Sequence, residues 1–197
     1  METVNILVVG VGGQGTLLTS RIIGNLALNE GLDVKLSEVH GMAQRGGSVV
    51  THIRYGNQVN APIVEVGQAD IILSFEKLEA LRYVHYLKEE GVLIVNDQEI
   101  DPMSVIVGLD DYPEDIITKL KSKVKNLIVM DALQEAKRIG NIKVVNTLLL
   151  GALSFYLDFE IEKWKVAIEH TVPQKTIKTN IEAFEKGLTL SKDLERC

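Results

Sequence analysis

Gly10-Val11-Gly12-Gly13-Gln14-Gly15 is a G-x-G-x-x-G turn between an apolar run, Val4 to Val9, and a stretch from Thr16 to Ala27. Within that stretch Leu18, Ile22 and Leu26 share one helical face. Glycines at these spacings let a backbone turn tightly and approach another group without hindrance from a Cβ. The helix that follows offers unpaired N–H groups and a positive dipole end to an anion. Glu38, at the end of the next strand-like run, stands where a carboxylate could accept a ribose hydroxyl pair. The same glycines also suit close strand–turn–helix packing with no ligand, and the residues alone leave both readings open.

A second cluster runs Ser37-Glu38-Val39-His40-Gly41-Met42-Ala43-Gln44-Arg45-Gly46-Gly47-Ser48. It is a polar, glycine-rich loop between two strands. Arg45 beside Gly46-Gly47 suits an anion nest with a cationic cap. A loop that follows the second strand belongs at the carboxyl edge of the sheet, where open α/β sheets bind ligands. Ligand binding and an interface with another chain are both compatible with its composition. The first and second strands of a doubly wound half are normally neighbours, which would set the two clusters side by side.

Other candidates carry less. The four histidines, His40, His52, His85 and His170, have no paired metal-ligand spacing. His52 reads as a core or surface histidine, and Ser74 lacks a nucleophile elbow. Trp164, at helical spacing with Ile161 and Ile168, reads as core or interface. The lysines between Lys119 and Lys125 have no Arg-rich or aromatic company and read as a solvated helix end. No Ser/His/Asp or Cys/His set is present, so no catalytic residue and no metal ligand is assigned. The single cysteine, Cys197, can form neither an intrachain disulfide nor an iron–sulfur centre, which needs about four thiolates.

The elements that must hold these clusters alternate. Strands are predicted at Val4 to Val9, Asp33 to Ser37, Ser48 to Tyr55, Asp70 to Phe75, Gly91 to Val95 and Asn126 to Met130, with a short one at Val105 to Val107 in an acid-rich stretch containing Pro102 and Pro113. Helices are predicted after the glycine turn, after Phe75 and throughout the region beyond Gly140, where Asn146 would cap a run to Leu157 and Pro173 would sit in a first helical turn. The fold class is therefore α/β. It is a doubly wound, mainly parallel sheet with a Rossmann-like glycine turn and a helical C-terminal end, in one domain over residues 1–197. The length of 197 residues and the 46% apolar content suit one core. A net charge of −6 argues against nucleic acid as a partner. No apolar segment reaches ~18 residues and no leader pattern opens the chain, so a cytoplasmic protein with no membrane association is expected.

The two clusters together, with Asp70-Ile71-Ile72, the segment from Asn146 to Gly151 and that from Val172 to Phe184, resemble the gamma-type subunits of the 2-oxoacid:ferredoxin oxidoreductases. The resemblance covers nearly the whole chain. The wording from Ser37 to Gly47 is most similar to the small, beta-designated subunit of the indolepyruvate type, while the pyruvate, branched-chain and 2-oxoglutarate branches share the glycine and Gln-Arg-Gly-Gly pattern.

The resemblance implies an oxidative decarboxylation in which a 2-oxoacid, coenzyme A and oxidised ferredoxin give acyl-CoA, carbon dioxide and reduced ferredoxin. It implies that thiamine diphosphate and the iron–sulfur clusters reside in a large partner subunit, that this chain carries no cofactor, and that the two associate as a hetero-oligomer, two plus two. Coenzyme A, the 2-oxoacid and ferredoxin would then be met through the complex. Gly10, Gly12, Gly13, Gln14, Gly15, Glu38, His40, Gln44, Arg45, Gly46 and Gly47 are the candidate ligand or partner-interface residues. The alternatives are a free-standing Rossmann-type nucleotide-binding protein, with Glu38 on a ribose, and a purely structural subunit.

Overall fold

The computed structural model describes residues 2–41 and 46–195. β1 (Val4–Val11) lies inside a six-stranded sheet because both its faces are apolar. Ile6 and Val8 point to one side, Leu7 and Val9 to the other, and all four are fully buried. The other strands are β2 (Asp33–His40), β3 (Ser48–Gly56), β4 (Ala69–Ser74), β5 (Leu87–Asn96) and β6 (Asn126–Met130). The spatial order is β2-β3-β1-β4-β5-β6. β1, β4, β5 and β6 run parallel, whereas β3 is antiparallel to both β1 and β2.

That order corrects one sequence expectation. β2 is not the neighbour of β1, because β3 lies between them. The strand ends that flank this connection, His40 and Ser48, still lie at the carboxyl edge, by a different route. β2 and β3 form a hairpin whose loop end is set by the pairing of His40 with Val49, and β3 then places Ser48 opposite Val11.

Helices cover both faces. α1 (Thr16–Asn29), α5 (Ala132–Ile139), α6 (Val145–Ser154), α7 (Ile161–Thr171) and α8 (Ile177–Glu195) pack over the side of Ile6, Val8, Ile53, Leu73 and Ile94. α2 (Lys77–Tyr83) and α4 (Ile116–Lys121) cover Leu7, Val9, Ile72, Leu93 and Val95.

Three local expectations are corrected, and one helix is added. Val105 to Val107 is not a strand. Met103–Ile106 forms a single helical turn, α3, led in by Pro102 and ended by Gly108 at φ +73°. β6 already occupies the edge of β5, which leaves that segment no strand to pair with there. Asn146 lies within the first turn of α6 rather than capping it, and the helix ends at Ser154. Pro173 precedes a 3₁₀ turn, Gln174–Thr176, that leads into α8. α5 was not anticipated, although its signals are local: the Asp131 side chain accepts from Gln134 N at 2.8 Å and Gly140 stops it at φ +88°.

α6 and α8 cross with their backbones in contact. A Cβ on Gly151 would lie 2.0 Å from the Phe184 carbonyl oxygen, and one on Gly187 would lie 1.9 Å from that of Leu148. Both obstacles are backbone, so only separation of the helices relieves them. Gly151→Ala and Gly187→Ala are each expected to cost about 1–3 kcal/mol or more, read as a lowered urea midpoint of the isolated chain.

Candidate functional site

The glycine turn is organised from within by Gln14. Its Oε1 accepts from Val11 N at 2.7 Å, and its Nε2 donates to the Phe75 carbonyl at 3.0 Å. Asn96, at the end of β5, donates from Nδ2 to the same carbonyl and to Gln98 Oε1, both at 3.0 Å. Its Oδ1 accepts from Ala132 N at 3.0 Å, fixing the start of α5. These amides join the carboxyl ends of β1, β4, β5 and β6. Gly10 is glycine for packing, since a Cβ there would lie 2.8 Å from Gln14 Oε1 and 2.9 Å from the Phe75 Cβ. Gly13 and Gly15 have φ of +101° and +91°, values that L side chains rarely adopt.

Gly15 caps α1 without a side-chain hydrogen bond, and the first turn holds no acidic residue. The first N–H groups of that helix are therefore available to an acceptor. Two clefts flank the turn. One, of about 530 Å³, lies between α1 and the end of the β2–β3 hairpin and is lined by Gly12, Gly13, Gly15, Arg21, Glu38 and His40, among others. The other, of about 520 Å³, lies towards α5 and α6, with Gln14, Gln98, Lys143 and Asn146 in its wall. Asn146 is buried, and its Oδ1 has no hydrogen-bond partner among the described residues.

The sequence candidates thus separate. Gly12, Gly13, Gly15, Glu38 and His40 come together around the first cleft, Gln14 lines the second, and Gly10 is interior. Glu38 Oε2 accepts from Thr51 Oγ1 at 3.3 Å, and His40 Nδ1 lies 3.1 Å from the Gly41 carbonyl. Gly47 is joined to the turn directly, its carbonyl accepting from Gly12 N at 2.9 Å, and Gly46 has φ +78°. Gln44 and Arg45 lie outside the described residues. His52 is buried, its Nδ1 accepts from Val64 N at 3.1 Å, and burial lowers its pKa, so it serves the core.

Sequence reasoning missed Arg21, Asn96, Gln98, Lys143 and Glu79, the partner of Ser48. Gln98 carried a usable signal, since it follows a strand end at the carboxyl edge. Glu79 carried none, because it looks like any acidic residue of a first helical turn. It is buried, accepts from Ser48 Oγ and from Arg82 Nε (3.2 Å), and so pins the start of β3 to α2.

The family model described as pyruvate ferredoxin/flavodoxin oxidoreductase matches residues 5–190. The chain belongs to that family. Indolepyruvate oxidoreductase subunit IorB of Thermococcus kodakarensis is 41% identical over 201 residues, covering 98% of both chains. The pyruvate/ketoisovalerate oxidoreductases common subunit gamma of Pyrococcus furiosus is 28% identical over 184 residues, covering 90% of this chain and 93% of that one. In fold, the chain matches the keto/oxoacid ferredoxin oxidoreductase gamma subunit of Geobacter sulfurreducens with a TM-score of 0.72 at 23% identity, over 96% of this chain and 99% of that one. The protein is a subunit of a 2-oxoacid oxidoreductase, and among the described residues no helix is long and apolar enough to cross a membrane.

Two outcomes test the internal framework. Gln14→Leu keeps the shape but leaves Val11 N without its acceptor, for an expected loss of about 1–3 kcal/mol in urea unfolding. Burial, reinforced by the Glu76 charge, raises the Glu79 pKa, while Ser48 and Arg82 oppose the shift. A raised carboxyl favours the native state when protonated, and that contribution is lost as pH rises through the raised value. Glu79→Gln, which stays neutral, should therefore gain stability relative to the parent as pH rises above the ordinary carboxyl range, measured as the change in urea midpoint difference.

Proposed function

We propose that this chain is the small subunit of an indolepyruvate, or arylpyruvate, ferredoxin oxidoreductase working in the cytoplasm. The observation that carries the reading is the 41% identity to subunit IorB along 98% of both chains, against 28% to the pyruvate/ketoisovalerate gamma subunit. In the overall reaction the 2-oxoacid loses carbon dioxide. The acyl group left behind gives up two electrons to ferredoxin and is captured by the thiol of coenzyme A.

Thiamine diphosphate, when bound, stabilises the decarboxylated carbanion, and iron–sulfur clusters conduct its electrons away. The clusters do not fit this chain, because one cysteine cannot ligate one, and the sequence has no Gly-Asp-Gly motif of the thiamine diphosphate type. In this reading both reside in a larger partner subunit, in a two-plus-two assembly, and no chemical step is assigned to this chain's side chains. Its part is to present a shaped, anion-attracting surface, built from the α1 N-terminus, Gly12, Gly13, Gly15 and the Gln44-Arg45-Gly46-Gly47 loop.

Against a free-standing nucleotide binder stand the 41% identity to an oxidoreductase subunit along 98% of both chains and the Gln44-Arg45-Gly46-Gly47 motif, which has no role in that scheme. The surface instead faces either the phosphates of coenzyme A or a carboxylate of the partner. The chain expressed alone should be colourless and unable to reduce a dye with arylpyruvates, and dye reduction by the pure chain would refute the reading. In the reconstituted enzyme Arg45→Ala should act in one of two ways. It raises the KM for coenzyme A about tenfold to a hundredfold with the 2-oxoacid KM unchanged, or it weakens subunit assembly by a similar factor. If neither changes, Arg45 has no part in the surface.

A further inference from the structure

Residues 97–115 connect β5 to α4 with a single helical turn, α3, and this is a long excursion for a compact domain. Its ends are tied to one buried carboxylate. Glu76, 1% exposed, accepts at Oε1 from Ile100 N (3.2 Å) and from the Tyr112 hydroxyl, while its Oε2 caps α2 through Glu79 N at 2.9 Å. Burial and the Glu76 contact raise the Tyr112 pKa, which keeps the phenol a donor across the physiological range. The loop between Ile100 and Tyr112 is thus closed at its base, as in an Ω-loop.

The outward side of this loop is apolar. Met103, Ile106, Val107 and Leu109 are 67, 65, 56 and 83% exposed. Four such side chains within seven residues form a contiguous exposed patch, which marks an interaction surface more often than chance scatter does. Along the chain the charge around it has one sign, and the Arg82 that shares a cleft with Asp110 and Asp111 is paired with Glu79. From Glu89 to Thr118 the sequence has no Lys, Arg or His, and Asp101, Asp110 and Asp111 border the patch. Asp97 and Glu99 are paired with Lys77, whereas Asp101, Asp110 and Asp111 form no ion pair among the described residues. The loop springs from the same carboxyl edge as the glycine turn, and Gln98 at its root lies 3.5 Å from Gln14 Nε2.

We propose that the 101–111 loop is a docking element for the larger subunit, seating Ile106 and Leu109 in an apolar pocket bordered by Lys and Arg. The inference rests on the subunit reading above and adds the surface and the chemistry of its partner. An apolar patch ringed by unpaired carboxylates is matched by an apolar pocket with a cationic rim, and a second copy of this chain, bringing the same carboxylates to the same patch, would be repelled. Because the base of the loop is clasped by Glu76, docking orders little new backbone.

The test measures binding of the full chain to the purified larger subunit, with circular dichroism and urea unfolding as folding controls. Ile106→Asp/Leu109→Asp should fold as the parent does and bind roughly tenfold to a hundredfold more weakly. Asp110→Lys/Asp111→Lys should also weaken binding and reduce its sensitivity to salt. Leu28→Asp, at the far end of α1, should change nothing. Should the double apolar variant not fold, Leu109→Ser alone, at the most exposed position, replaces it. Failure of the unaltered chain to bind the larger subunit would overturn the subunit reading itself. Binding by the parent with undiminished binding by the loop variants would overturn the docking proposal alone. So would a self-associated parent chain that these variants render monomeric.

Discussion

The carboxamide of Gln14 holds the carboxyl edge of the sheet together, and the candidate site depends on it. A carboxamide both accepts and donates, so one side chain can take the Val11 N–H and give to the Phe75 carbonyl. That pair of bonds folds the glycine turn back over the β1–β4 seam and leaves Gly12, Gly13 and Gly15 on the outside. Asn96 repeats the device one strand further on, linking Phe75, Gln98 and the start of α5. Net contributions of about 1 kcal/mol per hydrogen bond are modest, but unpaired partners at a semi-buried edge would cost more. The network therefore does more to select one arrangement of loops than to raise stability overall.

The rest of the fold delivers loops to that edge. Parallel strands send their carboxyl ends the same way, so the connections after β1, β4, β5 and β6 all emerge there. The β2–β3 hairpin adds its own loop by running β3 against β1, and the Gly12–Gly47 bond and the Ser48–Glu79 contact fasten its near end. On the opposite side of the turn the close crossing of α6 and α8 sets Asn146 under Gly15. The result is an edge with two clefts around one helix N-terminus, and an exposed apolar loop standing beside them.

Much of this was legible in the residues. Continuous β-branched runs identified the buried strands, because only a strand covered on both faces can dispense with polar alternation. The glycine turn was readable for the same local reason, since Gly13 and Gly15 need positive φ. The acid-rich stretch after β5 was the poorest reading. A strand was expected at Val105 to Val107 because its residues favour strands, but the segment forms a helical turn led in by Pro102 and ended by Gly108 at φ +73°. Asn146 looked like a helix cap because short polar side chains usually are, whereas here its place was set by contact with Gly15 from the other end of the domain.

By itself the sequence determined the class of the fold, the place of the glycine turn, the lack of cluster ligands and the family, because each depends on residue type and short spacing. Only the tertiary structure decided that β3 lies between β1 and β2, that Gln14 turns inward to the Phe75 carbonyl, and that Glu79 anchors the start of β3. It also decided that Glu76 gathers both ends of the 100–112 loop. Each of these joins residues tens of positions apart, or chooses among strand orders of similar local energy. The choice is made by which arrangement buries both faces of the sheet and pairs its polar groups at the same time, a condition no short stretch of sequence contains.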